Sequence, residues 1–423
     1  MKFSMRRLFG SGLLGLAVAC AGLAATSVQA QDGDKDPITF ATLLDFTAVY
    51  TFLTDEYSQG QQDYIKLLNQ EGGINGHPVE LIVRDHGSQP QNGIALYEKA
   101  LDKGAVLFDF LSTPVSRALV PRVLEDQVPM LTYLHGRADA SNGEVFPYVF
   151  VASATYWSQA AILMQYMKEH EDGLEGKKVA HVYIDSPFGQ EPIPLLKAIA
   201  EQEGATLKTF PYPSPGTEQS STWTSVRRFQ PDYVIIWGAG PSQAVSIRQA
   251  IRNGIQPEQI HSVVWLSETD MNSINADVAG VKRYSATVTG TDTPVLQRIV
   301  DQVIEPGDGS GDKDKVGTSY YNIGVSTMAL TTRAAKLALD EFGAPLTGEK
   351  LKKGYEMIRD FGADGLMPPI TITAEDHQGG GWGRVSEWDG EQWVDKTDWF
   401  HAYQDLVWEL INESAEKFQQ ENE

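Results

Sequence analysis

Cysteine is nearly missing from this chain. Cys20 is the only one in 423 residues, so internal disulfides and thiolate metal clusters are excluded together. A run of membrane-spanning length is missing too. The apolar stretch from about Leu13 to Ala25 is Gly- and Ala-rich and falls short of the about 20 residues that a spanning helix requires. Basic residues are scarce: 34 Lys and Arg face 56 Asp and Glu, for a net charge of −22. Such a surface repels nucleic acid and anionic lipid, so neither is an expected partner, and the acidity is read as solubility.

Catalytic patterns are missing as well. There is no Gly-x-Ser-x-Gly elbow, no His-Glu-x-x-His pair and no phosphate loop ending in Lys-Ser/Thr. Gly238-Ala239-Gly240 follows an apolar run, but Gln243 stands where a dinucleotide fingerprint needs its third glycine. Asp308, Ser310 and Asp312 alternate like calcium ligands, yet Lys313 replaces the turn glycine and Ser319 the closing acid. The eight histidines have no ligand spacing. No enzyme activity, metal or cofactor is expected.

What is present begins with an export signal. Lys2, Arg6 and Arg7 precede the short apolar stretch, and Val28-Gln29-Ala30 supplies small residues at the −3 and −1 positions. The pattern predicts a signal peptide over 1–30, cleavage after Ala30 and a periplasmic protein. Arg6-Arg7-Leu8-Phe9 is also compatible with twin-arginine export.

From Pro37 onward strand-length apolar runs alternate with helix-period segments. Strands are predicted at Ile38–Leu44, Val79–Val83, Val106–Phe110, Met130–Tyr133, Val179–Ile184, Tyr233–Trp237 and Ser262–Leu266. Helices are predicted at Tyr57–Asn69, Gly93–Leu101, Arg117–Glu125, Ser158–His170, Ile193–Gln202 and Gln243–Asn253. This rhythm makes an α/β protein with parallel sheets covered by helices. It runs in two blocks, about 37–153 and 154–284. Two helices without a strand between them follow (Tyr320–Leu339, Glu349–Phe361). Short antiparallel strands are predicted at Ile370–Thr373, Trp382–Glu387 and Gln392–Val394, then an amphipathic helix at Trp399–Phe418. In open parallel sheets ligands sit beyond the carboxyl ends of the strands, where Asp85-His86-Gly87-Ser88-Gln89 ends the second strand; capping the next helix is its expected role.

The segment Asn69-Gln70-Glu71-Gly72-Gly73-Ile74-Asn75-Gly76, followed by a strand, Asp85 and a helix opened by Pro90, resembles the periplasmic solute-binding proteins of ABC transporters, in the branch that binds branched-chain and related amino acids. Ser112-Thr113 with Pro121, Val128-Pro129, Asp185-Ser186-Pro187-Phe188-Gly189 and Pro231-Asp232-Tyr233 leading to Trp237-Gly238 extend the resemblance over about 37–396. It implies the type I fold, two Rossmann-like lobes with parallel sheets joined by a three-strand hinge. Lobe 1 would comprise 37–153 plus 285–368 and lobe 2 154–284 plus 369–396, with 397–423 a helical extension. It also implies a monomer that hands a small-molecule ligand to an ABC permease of the inner membrane.

The resemblance places the ligand on named residues. Ser112 and Thr113 would donate to a ligand carboxylate. The loop Tyr133-Leu134-His135-Gly136-Arg137 departs from the family's small residues, and Arg137 offers a carboxylate a planar fork. Phe188 is the aromatic wall, Trp237 and Gly238 a strand-end loop, and Glu268 with Asp270 nearby the partner of a ligand ammonium, which is costly to bury unpaired. The departure at Asp45-Phe46-Thr47-Ala48 brings Phe46, Tyr50 and Phe52 to the rim, and Tyr321 completes the set. Each residue has a plainer role open to it: Trp237 and Phe188 as core, Arg137 paired with Asp139, Glu268 as a helix cap. The leading function is a transport receptor for a small polar ligand, an amino acid or related amine or carboxylate. An exported sensor and a binder of amides or aromatic acids are the alternatives.

Overall fold

The computed structural model describes residues 35–422. The predicted signal peptide, its cleavage site and Cys20 lie outside the described residues. Two sheets divide the strands. The first holds β1 (Ile38–Leu44), β2 (Val79–Asp85), β3 (Ala105–Asp109), β4 (Met130–Leu131) and β5 (Val149–Phe150), all parallel, in the order β2-β1-β3-β4-β5. Helices α1 (Thr51–Gln70), α2 (Pro90–Leu101) and α3 (Thr113–Asp126) connect them.

The second sheet repeats this topology with β6 (Lys178–Ile184), β7 (Thr206–Tyr212), β8 (Tyr233–Trp237), β9 (Ile260–Ser262) and β10 (Lys282–Ser285), in the order β7-β6-β8-β9-β10. Two antiparallel strands, β11 (Arg384–Trp388) and β12 (Trp393–Asp395), extend its far edge. Its helices are α4 (Tyr156–His170), α5 (Pro187–Gln190), α6 (Ile193–Gln202), α7 (Ser220–Phe229), α8 (Pro241–Arg252) and α9 (Glu268–Asn272). After β10 the chain returns to the first lobe through α10 (Pro294–Ile299), α11 (Ser319–Phe342), which packs along α1, and α12 (Gly348–Glu356). It crosses back to β11 and ends in α13 (Gln404–Asn422).

The chain thus passes between the sheets at 151–155, 286–288 and 366–383. The passages lie side by side: Ala152 N donates to the His377 carbonyl at 2.7 Å and Val288 N to the Leu366 carbonyl at 2.9 Å.

Several helices begin earlier than their apolar period suggests. Proline occupies the first turn of α2, α3 and α8, where its fixed φ fits and its missing N–H costs nothing. Two expected strands are corrected. The strand predicted over Ser262–Leu266 ends at Ser262, and the chain then turns. Ile370–Thr373 forms only a single bridge, from Ile370 to Phe361. Strand β7 and helix α7 escaped notice: β7 is an edge strand with alternate residues exposed, and α7, SSTWTSVRRF, buries only Trp223 and Val226.

The punctuated segment is also explained. Both amide atoms of Asn69 bond the Val79 backbone, at 2.8 and 2.9 Å, fixing where β2 starts. At the far end Asp85 does not cap α2. It accepts from Phe46 N (3.0 Å), Thr47 Oγ1 (2.7 Å) and Gly87 N (2.8 Å), tying the end of β2 to the loop after β1.

One buried carboxylate lies between the sheet and α1. Asp109, fully buried, accepts from Tyr57 Oη (2.5 Å), Gln61 Nε2 (2.8 Å) and Leu111 N (3.1 Å). Burial pushes its pKa up to about 6 against the pull of these hydrogen bonds. A carboxyl whose folded pKa lies above its unfolded value loses stabilisation as pH rises between the two, and a shift of this size corresponds to on the order of 3 kcal/mol. Asp109→Asn should therefore gain unfolding free energy relative to the parent as pH rises from about 4 to about 6, and level off above. Denaturant titrations of both proteins across that range measure the difference, and a flat difference would refute the assignment.

Candidate functional site

The strand ends build a cavity between the lobes. Tyr50 and Leu53 follow β1, Leu111 and Thr113 follow β3, and His135 follows β4. From the second lobe come Tyr156 at the start of α4, Phe188 after β6, Ala239 after β8 and Trp265 after β9. Together they line a tight cavity of about 10 Å³. The carboxyl ends of both sheets thus face one space, where a strand order that reverses about β1 or β6 opens a crevice.

None of the lining residues carries a formal charge at neutral pH. His135 is held neutral: burial pulls its pKa down to about 4. Its Nδ1 lies 3.0 Å from the Tyr133 carbonyl, which can only accept, so the proton sits on Nδ1. Its Nε2 then accepts from Ser116 Oγ at 3.0 Å. Tyr156 Oη accepts from Trp265 Nε1 at 2.8 Å, and burial raises its pKa far above the ordinary phenol value. Tyr156 packs on Phe188 at 5.1 Å and edge-on to Trp237 at 5.7 Å. The polar lining atoms thus come from Tyr50, Thr113, His135, Tyr156 and Trp265 against an otherwise apolar wall.

The loop after β1 is held rigid. The Asp45 carboxylate accepts from the backbone of Thr47, Ala48, Val49 and Tyr50, and from Ser88 Oγ. Burial raises its pKa, but these bonds outweigh burial and leave it lowered.

Of the residues predicted from sequence, Tyr50, Thr113, His135 and Phe188 meet at the cavity. Ser112 lies beside Thr113 with its hydroxyl buried and without a hydrogen-bond partner. The others are placed differently. Arg137 holds Asp139 in a bidentate pair (2.6 and 2.5 Å) and packs its guanidinium on Phe146 and Phe418, so it does not face the cavity. Glu268 bonds Ser319 Oγ at 2.5 Å and has Arg283 as its countercharge at 3.7 Å. Asp270 closes the capping box of α9 with Ser267. Both acids have partners within the protein.

Tyr133 is core, with its hydroxyl 4.0 Å from the Met367 sulfur. Tyr321 is spent on Asp63, at 3.0 Å. Trp237 backs Tyr156 from behind, and a side chain on Gly238 would collide with Tyr212 Oη, 2.3 Å from the added carbon. Phe46 and Phe52 line a neighbouring crevice, where the Phe52 ring lies against Gly240 of the other lobe. Sequence reasoning missed Tyr156, Trp265, Leu53 and Leu111 as wall residues. Trp265 was hidden inside a predicted strand, and Tyr156 directly follows a crossover that was read only as a hinge.

Contacts across the seam flank the cavity. On one side Glu191 of the second lobe pairs with Arg117 of α3 and accepts from Ala138 N at 2.8 Å. On the other, Ser319 at the start of α11 bonds both Glu268 and Arg283, the latter at 2.7 Å.

Two α/β lobes meeting over a strand-end cavity define a two-lobed ligand-binding protein. The chain belongs to the periplasmic binding protein family, which matches residues 37–392, and it is a solute-binding protein of an ABC transporter. It is similar to a crystal structure described as an ABC transporter permease from the Pseudomonas fluorescens group, at 31% identity over 92% of this chain and 98% of that one, TM-score 0.86. A branched-chain amino acid ABC transporter protein from Thermus thermophilus with bound valine shares the fold at 19% identity, 89% and 99% coverage and TM-score 0.78. So does a solute-binding protein from R. palustris in complex with benzoate, at 18% identity, 85% and 95% coverage and TM-score 0.70. No curated protein matches.

The Arg117–Glu191 pair generates a prediction. Glu191 is almost wholly buried at the seam, and burial raises its pKa despite Arg117. Arg117 is 38% exposed, so losing it costs less than the about 3–5 kcal/mol of a fully buried pair, and an opened cleft relieves that cost by letting water reach Glu191. Arg117→Ala should therefore open the lobes and enlarge the radius of gyration in small-angle scattering. A scattering profile identical to the parent's would show that the pair does not hold the seam.

Proposed function

We propose that this receptor binds a compact acid with an aromatic or branched apolar body and no ammonium group, and delivers it to an inner-membrane permease. The observation that carries the reading is the charge-free lining: the acids expected to meet an amine, Glu268 and Asp270, are engaged by Ser319, Arg283 and Ser267. A buried ammonium without a partner is costly, whereas the rings of Tyr156, Phe188 and Trp265 suit an apolar body.

The head group has its own support. Thr113 opens α3, and the exposed N–H groups of a helix start favour an anion. With the unpartnered Ser112 hydroxyl, that end could hold a carboxylate without a cation. Proteins of this fold carry both benzoate and valine, and the missing acidic wall favours the first kind of cargo. In this reading the protein is exported, cleaved after Ala30 and monomeric. Its lobes, 37–153 with 285–368 and 154–284 with 369–396, close about the three crossovers, a common response to ligand.

A thermal-shift panel of aromatic acids, branched aliphatic acids, amino acids and the matching amides tests the class. Acids should raise the unfolding temperature; at a hundredfold excess over Kd the stabilisation is about 2.7 kcal/mol. Thr113→Val should then weaken the best acid roughly tenfold in calorimetry, since hydrogen bonds to charged groups contribute about 1.5–3 kcal/mol. Stabilisation by amino acids alone would overturn the proposal.

A further inference from the structure

The C-terminal helix α13 lies beyond the stretch matched by the family, yet it is fastened to both lobes. Its apolar stripe is Val407, Ile411 and Ala415, all fully buried, with Phe418 continuing the face. That spacing is one side of a helix. The first half of α13 packs on α4 and α6 of the second lobe, and just ahead of it the Tyr403 ring meets Lys168 of α4 at 5.8 Å. The second half packs on the first lobe. Asn142 Nδ2 donates to Asn412 Oδ1 at 3.0 Å, Ser414 Oγ donates to Asp139 Oδ2 at 2.9 Å, and the Phe418 ring lies 4.7 Å from Phe146. Arg137 sits 4.4 Å from Phe418 and fixes Asp139, so the Arg137–Asp139 pair is the dock for the end of this helix.

The dock is also where the lobes already touch. Ala138, between Arg137 and Asp139, donates its backbone N–H to Glu191 of the second lobe. One short turn, Ala138–Ser141, therefore receives the end of α13 on one side and a seam contact on the other. Residues 396–403 join β12 to α13, so the helix is covalently part of the second lobe and only its far end meets the first.

We propose that α13 is a fourth, non-covalent tether between the lobes, whose distal end, Asn412 to Phe418, biases the cleft toward its closed form. The three covalent crossovers fix the hinge but leave the angle free. The Phe418–Arg137 and Ser414–Asp139 contacts add a reversible hold on that angle. Opening the cleft strains or releases these contacts, so the helix sets how much of the ligand-free protein is closed. The departure at Arg137 from the family's small residues then serves the tether.

The test needs no ligand. Cys20 is the only native cysteine, so in a Cys20→Ser background dyes can be placed at Lys103→Cys and Arg228→Cys, exposed positions one on each lobe. Single-molecule energy transfer then reads the interlobe distance in ligand-free protein. Ser414→Ala with Phe418→Ala should shift the population toward longer distances, with the open fraction rising several-fold, while the stripe at Val407 and Ile411 stays in place. Removing residues 404–423 should shift it at least as far; if that truncation does not fold, the double variant decides alone. A distance distribution unchanged from the parent in the double variant would overturn the proposal, whether or not its unfolding temperature falls, since a purely structural helix lowers stability without moving the lobes. This outcome is independent of which ligand class the cavity takes.

Discussion

Closing two lobes over a small cavity removes water from everything at the seam, and every charge caught there needs a partner from the protein itself. This constraint orders the interlobe surface. Glu191 is met by Arg117 and by the Ala138 N–H. Glu268 is met by Ser319 and Arg283, and Arg283, itself buried, also reaches the Leu266 carbonyl. The cavity between these clusters can then be lined by neutral groups alone. Had Glu268 stayed free to receive a cation, the seam would carry an unpaired buried acid whenever the lobes closed without one.

The same constraint explains the state of His135. A protonated imidazole in this wall would be a second buried charge without a carboxylate beside it. Its two nitrogens are instead committed, one as donor to the Tyr133 carbonyl and one as acceptor from Ser116. Rigidity at the opposite wall has a comparable source: the Asp45 carboxylate gathers four backbone N–H groups, so Tyr50 is presented from a fixed turn, and burial beside Asp45 pushes its phenol up to about 12.

Legibility in the sequence followed the range of the interactions involved. The parallel strands β1, β6 and β8 were readable because a strand buried on both faces must be continuously apolar, and β2, though at an edge, because turn residues bound its apolar run. Edge strand β7 was not, since half of it faces solvent and its pattern is diluted. Helix starts were misplaced where proline, rather than apolar period, sets the first turn. Tyr50, Thr113, His135 and Phe188 reach the cavity because each lies a few residues beyond a strand end. Trp265 was lost with the misjudged end of β9. Glu268, Tyr321 and Arg137 lie away from the cavity lining for a different reason. Their partners Ser319, Asp63 and Phe418 are 51, 258 and 281 positions away in sequence, and no local pattern announces such pairing.

Arg137 shows how a departure from a family pattern is to be weighed. A cation in a loop that elsewhere holds small residues invites the reading that the ligand has changed. Its chemistry here is spent within the protein, on Asp139 two residues on and on an aromatic side chain from the end of the chain. The sequence offers one hint of this: the departure coincides with a helix that continues past the family's boundary, so two anomalies appear in one chain. Two anomalies that contact each other call for a single explanation, and a guanidinium clasped between Phe146 and Phe418 supplies it without involving the ligand. In the proposed reading the ligand meets instead the wall of Tyr156, Phe188, Trp265 and Thr113, which line the space between the lobes.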